Sequence, residues 1–388
     1  MATLAQLFVY AKVLAPDAFG VFGLVQGTYL LTQGVQRSVV VLPMIMTASA
    51  SSGGDAVWAR LNTVLLAGIT AVLALLALAG GALGIDVAFR TAFALAAPCT
   101  MATLSYEFGR RTLFLQQRPR AVLAAAATYF LTTVAGVATV AIWLRSVEAA
   151  AAVLFLAAGT AGAMAWRLRA PMPSGGIRVR DHRGMIGWNL LSFLPYAVYN
   201  NGMILIVGAL ADVRAVALFA ASRLFTAPIQ TLIQAIDSVD KPRARRMYAA
   251  DGLTGLSYSL GRTRRTLLML GAPYLIAIVL GAELLVPLLF GDRYPGMIDA
   301  VRLWGAVALL MLLGQPLETG LLVLHKSNLF FWTRSLAAIA AIAALLGLRD
   351  TLSQVAPIAA LAVGWGAGGA LAWVLLRARL RTRADAGS

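Results

Sequence analysis

The 388-residue sequence predicts an all-α, polytopic membrane protein. Apolar segments of about 20 residues recur along almost the whole chain, and short polar connections separate them. Mean hydropathy is +0.81, hydrophobic residues make up 60% of the chain and charged residues only 12%. A water-soluble domain of this length needs far more charge to cover its surface. Lipid is therefore the solvent for most of the chain, and polar side chains inside the apolar segments are the candidates for function.

The hydropathy pattern predicts about twelve membrane-spanning helices. The first is short, because the stretch of about 14 residues before Pro16 reaches only about 21 Å, whereas the hydrocarbon core is about 30 Å thick. Polar stretches at 169–184 and 237–263 are basic and rich in Gly, Pro and Ser, and we interpret both as solvated linkers. The predicted helices lie at residues 1–15, 20–47, 57–84, 88–115, 119–144, 148–168, 185–211, 214–236, 264–290, 297–324, 328–347 and 354–376.

Basic residues gather in alternate connections, and this predicts the orientation. Arginine and lysine are abundant near 110–120, 167–183, 241–265 and 377–383, and sparse in the connections between these stretches. By the positive-inside rule, the basic connections and both termini are cytoplasmic, in the inner membrane of a cell. The formal net charge of +16 is explained in this way, so no nucleic-acid partner is expected. No basic segment with a short apolar stretch and cleavage site opens the chain, so no cleaved signal peptide is predicted.

The stretch 169–184 divides the chain into two halves, which we predict to be parallel repeats. Residues 1–168 form an N-terminal lobe of six helices, residues 185–376 a C-terminal lobe of six, and residues 377–388 a basic cytoplasmic tail. Asp17 and Asp212 each open the second helix of a half. Because both halves start inside, the axis that relates them lies along the membrane normal.

Two predicted helices carry polar stripes with helical spacing. Because an arginine that faces lipid is costly, we expect both stripes to line a wet cavity; the alternative is that they join neighbouring helices. Lys12 of the first helix is a third candidate cation for this cavity, unless it extends to the inner interface of the membrane. The stripes are Gln26, Gln33 and Arg37 on the second helix, and Arg223, Thr226, Gln230, Gln234 and Asp237 on the eighth.

Further ionisable residues inside predicted helices are Glu107, Glu318 and Arg334. Glu107 precedes Arg110 by three residues, so we predict a local ion pair. Glu318 shares a helix face with His325, and these two residues are the candidate coupling-ion site, with a structural carboxyl group as the alternative.

The seventh predicted helix is interrupted by Asn200, Asn201 and Gly202, which follow Pro195. We interpret the interruption as a hinge; the alternative is a polar contact of the two asparagines to substrate.

Motifs of ATP-driven transport and of common hydrolases do not occur in the sequence. It contains no P-loop, no Gly-x-Ser-x-Gly and no His-Glu-x-x-His. Cys99 is the only cysteine and the two histidines are far apart, so we expect no disulfide within the chain, no metal site and no cofactor. The outer connections are too short for a soluble catalytic domain, and an enzyme is therefore not expected.

Three segments resemble the polysaccharide flippases of the multidrug/oligosaccharidyl-lipid/polysaccharide (MOP) exporter superfamily. Residues 15–24, APDAFGVFGL, resemble the family's Pro-Glu-Glu-Phe-Gly turn. Residues 218–228, LFAASRLFTAP, resemble its eighth helix, in which small residues precede Arg-Leu and a proline. Residues 239–242, VDKP, resemble the exit of that helix. The twelve-helix layout matches over nearly the whole chain.

The resemblance implies two lobes around a central cavity, as in MATE transporters, and flipping of a polyprenyl-diphosphate-linked sugar between leaflets. In the peptidoglycan-precursor branch of the superfamily, arginines of helices 1, 2 and 8 line the cavity and meet the diphosphate. Arg223 matches such a position by motif, Arg37 matches by helix, and Lys12 stands in place of an arginine. The implied partners are lipid-linked oligosaccharide for O-antigen or exopolysaccharide, membrane lipids and the polysaccharide polymerase machinery.

Three other functions are alternatives to flipping. A drug/cation antiporter of the same superfamily needs acidic residues in helix 1 or deep in a lobe, and helix 1 has none. A membrane polysaccharide polymerase or ligase needs a large outer loop with Arg and His, which the predicted topology lacks. A scaffolding protein does not require two stripes that contain arginine.

Overall fold

The computed structural model describes residues 2–48, 55–170, 178–324 and 327–384, and within these ranges it contains helices and turns without β-strands. The predicted all-α fold is confirmed. The helices are α1 (Ala2–Val13), α2 (Pro16–Gln36), α3 (Leu42–Ala48), α4 (Asp55–Ala79), α5 (Val87–Leu115), α6 (Pro119–Thr139), α7 (Val147–Leu168), α8 (Arg183–Tyr196), α9 (Met203–Leu210), α10 (Val213–Arg223), α11 (Ala227–Phe290), α12 (Met297–Val323), α13 (Ser327–Leu352) and α14 (Ala356–Ala384).

Short irregular turns join several of these helices end to end. Widened π-helical turns span Arg37–Val41, Val140–Leu144 and Ala197–Asn201, and tighter 3₁₀ turns span Val179–His182, Leu224–Thr226 and Ser353–Val355. The interruption predicted in the seventh helix is confirmed, because the axis bends by 53° between Asn201 and Met203.

Length and hydropathy agree with a polytopic membrane protein. In the described ranges, seven helical stretches can cross a membrane, or eight when the bent pair around Gly202 is included. Two of them, Val213–Phe290 and Asn328–Ala378, contain 78 and 51 residues. At 1.5 Å per residue they measure about 115 Å and 75 Å, enough for two crossings each. They are interrupted at Gly252 and Ser353, where φ is +60° and +45°.

The prediction of a solvated linker at 237–263 is wrong. These residues belong to α11, which is helical from Ala227 to Phe290 except at Gly252. The sequence misleads here because the arginines suggest solvent on all sides, whereas apolar residues between them are buried. Ala244, Leu256 and Leu260 form a core with Val323 and Leu376. The positive φ at Gly252, which glycine adopts without steric cost, turns the helix back on itself.

The helices pack into two compact units. Unit 1 comprises Met1–Ala197 and Ile204–Ala217, and unit 2 comprises Val198–Met203 and Leu218–Ser388. These bounds differ from the predicted division at 169–184, of which residues 171–177 lie outside the described ranges. The two six-helix lobes and the tail at 377–388 therefore stay a prediction of the sequence.

Close helix contacts at glycines explain why α8 and α9 pack in unit 1. A Cβ at Gly27 would collide with Ile204, and one at Gly34 would collide with the ring of Phe193. A Cβ at Gly208 would lie 3.0 Å from the Phe89 ring. Helix backbones approach closely in membranes where side chains are small. Around this contact, α5 packs against α2, α4 and α7.

In unit 2 the long helix α11 packs along α12, and α14 packs against both α12 and α13. The core beside the start of α11 contains Ile229, Ile233, Leu267, Leu275 and Leu312. Because isoleucines 229 and 233 occupy one face of the helix, its polar stripe lies on another face.

We predict that Gly20→Ala destabilises the protein by about 1–3 kcal/mol. Gly20 lies in α2 against the first turn of α10, and a Cβ there would collide with the carbonyl oxygen of Val213. The two backbones must separate to admit it. The measurement is thermal unfolding of the purified protein in detergent.

Gly68→Ala in α4 is the matched control, because a Cβ there meets no atom within 4 Å. It should leave stability unchanged or raise it by about 0.5–1 kcal/mol, since alanine favours the helix. Equal melting temperatures for the two variants would show that the contact between Gly20 and Val213 is not tight.

Candidate functional site

Arg223 is the last residue of α10 and lies directly before the 3₁₀ turn Leu224–Thr226. Its guanidinium carbon is 5.6 Å from the ring centroid of Trp304 on α12. Trp304 is 2% exposed and packs edge-on against Phe219 at 5.3 Å. An arginine that lies over an indole ring gains a cation–π interaction, while the N–H groups at the edge of the guanidinium remain available for other contacts. The side chain is half-buried. A cation therefore lies where α10 ends and the 3₁₀ turn begins, within a stretch long enough to cross a membrane.

The other polar residues of this stripe differ in exposure. Thr226 is 1% exposed, and its hydroxyl group donates to the carbonyl oxygen of Arg223 at 2.9 Å. Thr226 thus caps the end of α10 in the interior of unit 2, and its hydroxyl is not directed at solvent. Gln230 is half-buried and Gln234 is exposed. Polarity therefore remains accessible along the start of α11, on a face about 100° around the helix from the isoleucine core.

Asp237, at the end of the stripe, is held by two partners. Its carboxylate forms an ion pair with Lys241 and accepts a hydrogen bond from Gln315 Nε2 at 2.5 Å. Gln315 belongs to α12, so this contact ties α11 to α12. No pattern in the sequence indicates that Gln315 contacts Asp237.

The second stripe lies in unit 1. Gln26 and Gln33 are half-buried, whereas Arg37 is exposed at the start of the π turn Arg37–Val41. Lys12, near the end of α1, is also exposed. Widened turns of this kind occur often at functional sites, because the extra residue shifts the face that side chains present.

Gln36 was missed by the sequence analysis and is fully buried in unit 1. Its Nε2 donates to Asn62 Oδ1 at 2.7 Å and to the Leu104 carbonyl oxygen at 2.8 Å. These bonds join α2 to α4 and α5. Gln36 therefore joins neighbouring helices, which is the role that the alternative interpretation gave to the stripe residues. The stripe residues next to it, Gln33 and Arg37, remain accessible.

Asn200 and Asn201 end the π turn Ala197–Asn201, directly before the bend. Both are half-buried, and Asn200 Nδ2 donates to Asn201 Oδ1 at 3.2 Å. The adjacent Tyr199 is buried and packs edge-on against Trp365 at 5.5 Å. This packing holds the bend in place.

The intramembrane carboxylates are paired with arginines. Glu107 forms ion pairs with Arg110 at 2.5 Å and with Arg111 at 2.8 Å, so the predicted local pair is confirmed. Glu318 on α12 forms an ion pair with Arg334 Nη2 of α13 at 3.3 Å, and both side chains are 19% exposed. Arg334 also lies 3.9 Å over the ring of Phe330. His325, predicted beside Glu318, lies outside the described residues.

A shallow cleft of about 560 Å³ opens in unit 1 at the start of α2, α5 and α10. Asp17, Thr91, Asp212 and Arg214 supply its polar lining. Arg214 Nε donates to Asp17 Oδ1 at 2.9 Å, and Asp212 caps α10 by accepting from the Ala215 N–H group at 2.7 Å. The predicted substrate-binding residues do not line this cleft.

Within the described ranges, no group of three His, Cys, Asp or Glu residues is arranged to hold a metal ion. Cys99 is buried, and its thiol donates to the Ala151 carbonyl oxygen at 3.3 Å. Apart from the ion-paired aspartate, the accessible residues of the two polar stripes, with Lys12, are cations and amides. Arg37 and Lys12 are the cations in unit 1, and Arg223 is the cation in unit 2.

Comparison with known proteins identifies the family. The family model described as "Polysaccharide biosynthesis protein" matches residues 9–299, which is most of the chain. No curated protein matches the sequence.

Solved structures with the same fold are membrane transporters. An inward-facing multidrug resistance MATE family transporter of the MOP superfamily gives a TM-score of 0.74 at 13% identity, over 100% of this chain and 96% of that chain. The lipid II flippase MurJ in an inward closed conformation gives 0.75 at 8% identity, over 97% and 85%. A MOP superfamily transporter from Pyrococcus furiosus, described as having a binding pocket of reverse polarity, gives 0.64 at 16% identity, over 97% and 91%.

Because these sequence identities are low, the structural similarity establishes the fold alone. Membership of the family rests on the match to the family model. The chain therefore belongs to the polysaccharide biosynthesis protein family and has the multi-pass helical fold of the MOP superfamily transporters.

Proposed function

We propose that this protein flips polyprenyl-diphosphate-linked oligosaccharide from the inner to the outer leaflet of the cytoplasmic membrane by alternating access, for export of cell-surface polysaccharide. The observation that carries the proposal is Arg223, a half-buried arginine held by Trp304 at the end of a membrane helix, in a chain of the polysaccharide biosynthesis family. The match to a lipid II flippase, whose name refers to a lipid-linked substrate, supports it.

The charge of the candidate site suits such a substrate. A diphosphate is anionic and binds arginine through short, charge-assisted hydrogen bonds. Arg223, Arg37 and Lys12 are the proposed diphosphate ligands. The half-buried or exposed amides of Gln26, Gln33, Gln230, Gln234, Asn200 and Asn201 are proposed to contact the sugars, and Thr226 holds the helix end from inside.

The driving force for an anionic head group comes partly from the membrane potential. A potential that is negative inside favours outward movement by about 2.3 kcal/mol per charge per 100 mV. The lipid tail can stay in the bilayer while the head group crosses. The proposal therefore needs no catalysis and no cofactor, and the protein acts as a transporter and not as an enzyme. Both termini are proposed to be cytoplasmic, and polymerase machinery receives the flipped product.

A drug/cation antiporter is the second candidate, and the ion pairs argue against it. A cationic drug needs an accessible carboxylate, but Glu107 and Glu318 are each engaged by arginine.

The experiment that tests the proposed function measures on which leaflet the lipid-linked glycan lies in cells that lack the protein. We expect the glycan to accumulate on the cytoplasmic face while surface polysaccharide disappears. Unpolymerised glycan on the outer leaflet would instead place the defect after flipping and favour the polymerase or ligase alternative.

We predict that Arg223→Ala lowers glycan export by about 10- to 100-fold, the loss expected for one charged hydrogen-bonding partner. Arg223→Lys should restore part of the export, because lysine keeps the charge but not the two-pronged geometry. The measurement is surface polysaccharide at matched membrane levels of each variant.

Arg302→Ala is the control for the loss of an arginine. Arg302 pairs with Glu283 at 2.7 Å on an exposed surface, and such pairs contribute little to stability. Its export should equal that of the unmodified protein. If Arg223→Ala exports as well as this control, Arg223 is not a substrate ligand.

Coupling to an ion gradient is proposed to use Glu318 together with His325. Glu318→Gln keeps an oxygen that accepts from Arg334, so we expect the variant to fold. We predict that flipping in vesicles then no longer responds to an imposed pH gradient, while its potential-driven part remains. A response equal to that of the unmodified protein would assign Glu318 and Arg334 to a purely structural ion pair.

A further inference from the structure

The two arms of α11 form a helical hairpin that turns at Gly252 and has a strongly basic surface. Its two ion-paired cations are Lys241, with Asp237, and Arg243, with Asp240. Five other arginines are exposed, and none of them takes part in an ion pair of the described residues. We name these five the arginine collar: Arg245, Arg246, Arg262, Arg264 and Arg265.

A buried polar contact holds the two arms together. Asp240, on the first arm, is 2% exposed and pairs with Arg243. Arg243 Nη2 donates to Thr263 Oγ1 on the second arm at 3.1 Å. Leu260, beside the collar, packs with Leu376 of α14. The collar is therefore carried by a fixed helical body and not by a flexible loop.

Exposed apolar residues mark the part of the hairpin that suits contact with lipid tails. Met269 and Leu270, one turn after Arg265, are 76% and 58% exposed. Val239, on the first arm before Arg245, is 66% exposed. Large apolar side chains this exposed belong against lipid tails. The collar thus lies one to two turns beyond the apolar surface, at the depth of lipid head groups.

The neighbouring helix marks the same depth. In α14, Trp373 is 48% exposed, and the Arg377 guanidinium lies 4.9 Å from its ring centroid. Tryptophan is enriched at the membrane–water interface. Because Leu376 packs with Leu260, this interfacial pair and the collar share one level of unit 2.

We propose that the arginine collar binds the anionic head groups of inner-leaflet phospholipids and thereby fixes the depth of α11 in the membrane. Basic side chains at a membrane surface are each attracted by about 1 kcal/mol to an anionic leaflet, and arginine matches phosphate geometry. The collar is separate from the proposed diphosphate site. Arg245 follows Arg223 by 22 residues, which is about 33 Å along a helix at 1.5 Å per residue. The inference stands whether or not the protein flips a glycan.

The test uses the purified full chain reconstituted in vesicles of equal parts phosphatidylglycerol and phosphatidylcholine. Native mass spectrometry measures which lipid remains bound after gentle extraction. We expect the unmodified protein to retain phosphatidylglycerol preferentially. Replacing all five collar arginines by glutamine should lower that preference by at least about tenfold. Replacing them by lysine should preserve most of it, because the charge remains.

A second measurement separates lipid head groups from free phosphate. Thermal unfolding is compared in phosphatidylglycerol vesicles, in phosphatidylcholine vesicles, and in phosphatidylcholine vesicles with soluble inorganic diphosphate. We expect phosphatidylglycerol to stabilise the unmodified protein but not the glutamine variant. Any protection by soluble diphosphate, which can bind the proposed site at Arg223, should be equal in the two proteins. Protection by soluble diphosphate that is lost in the glutamine variant, or unchanged lipid preference in that variant, would overturn the proposal. If the variant with five substitutions does not accumulate in the membrane, the double variants R245Q/R246Q and R264Q/R265Q are tested by the same two measurements.

Discussion

Water is absent from the hydrocarbon core of a bilayer, so every backbone N–H and C=O group there must find its partner within the protein. This constraint accounts for the all-helical fold. A charged side chain in the hydrocarbon core also lacks water, so the carboxylates there are paired within the protein. Glu107 is neutralised within its own helix by Arg110 and Arg111. Glu318 reaches Arg334 on the next helix, and Asp237 is held by Gln315 and Lys241. Each of these carboxylates therefore also joins or stiffens helices.

Several of the accessible polar residues lie at irregular turns. Arg37 begins one π turn, Asn200 and Asn201 end another, and Arg223 precedes a 3₁₀ turn. In a regular helix every backbone group is paired and the face of each side chain follows from its position. An irregular turn changes that face locally, at a small cost in backbone geometry. At these positions a membrane helix can direct a polar side chain toward the protein interior while the rest of the helix keeps its apolar face toward lipid.

Arginines of unit 2 occur in three kinds of surroundings that bear on function. Arg223 is half-buried against Trp304, where one cation can be aimed at one anion. The arginines on the hairpin of α11 are exposed and follow apolar residues that face lipid tails. Arg243 belongs to neither group, because Asp240 and Thr263 engage it in the interior of the hairpin. Arginine thus joins helices at Arg243, and we propose that it serves a substrate site at Arg223 and a membrane surface on the hairpin.

The sequence by itself determined the fold class, the bend at Asn200–Gly202 and the pairing of Glu107 with Arg110. All of these follow from local hydropathy, chain length or spacing within one helix, which involve no distant residue. Only the tertiary structure decided that residues 237–263 are helical, that Gln36 joins three helices, that Gln315 holds Asp237 and that Arg334 occupies Glu318. Each of these depends on a partner that is far away in sequence. Contacts between helices depend on which small residues let two backbones approach, and single-helix periodicity carries no information about that approach.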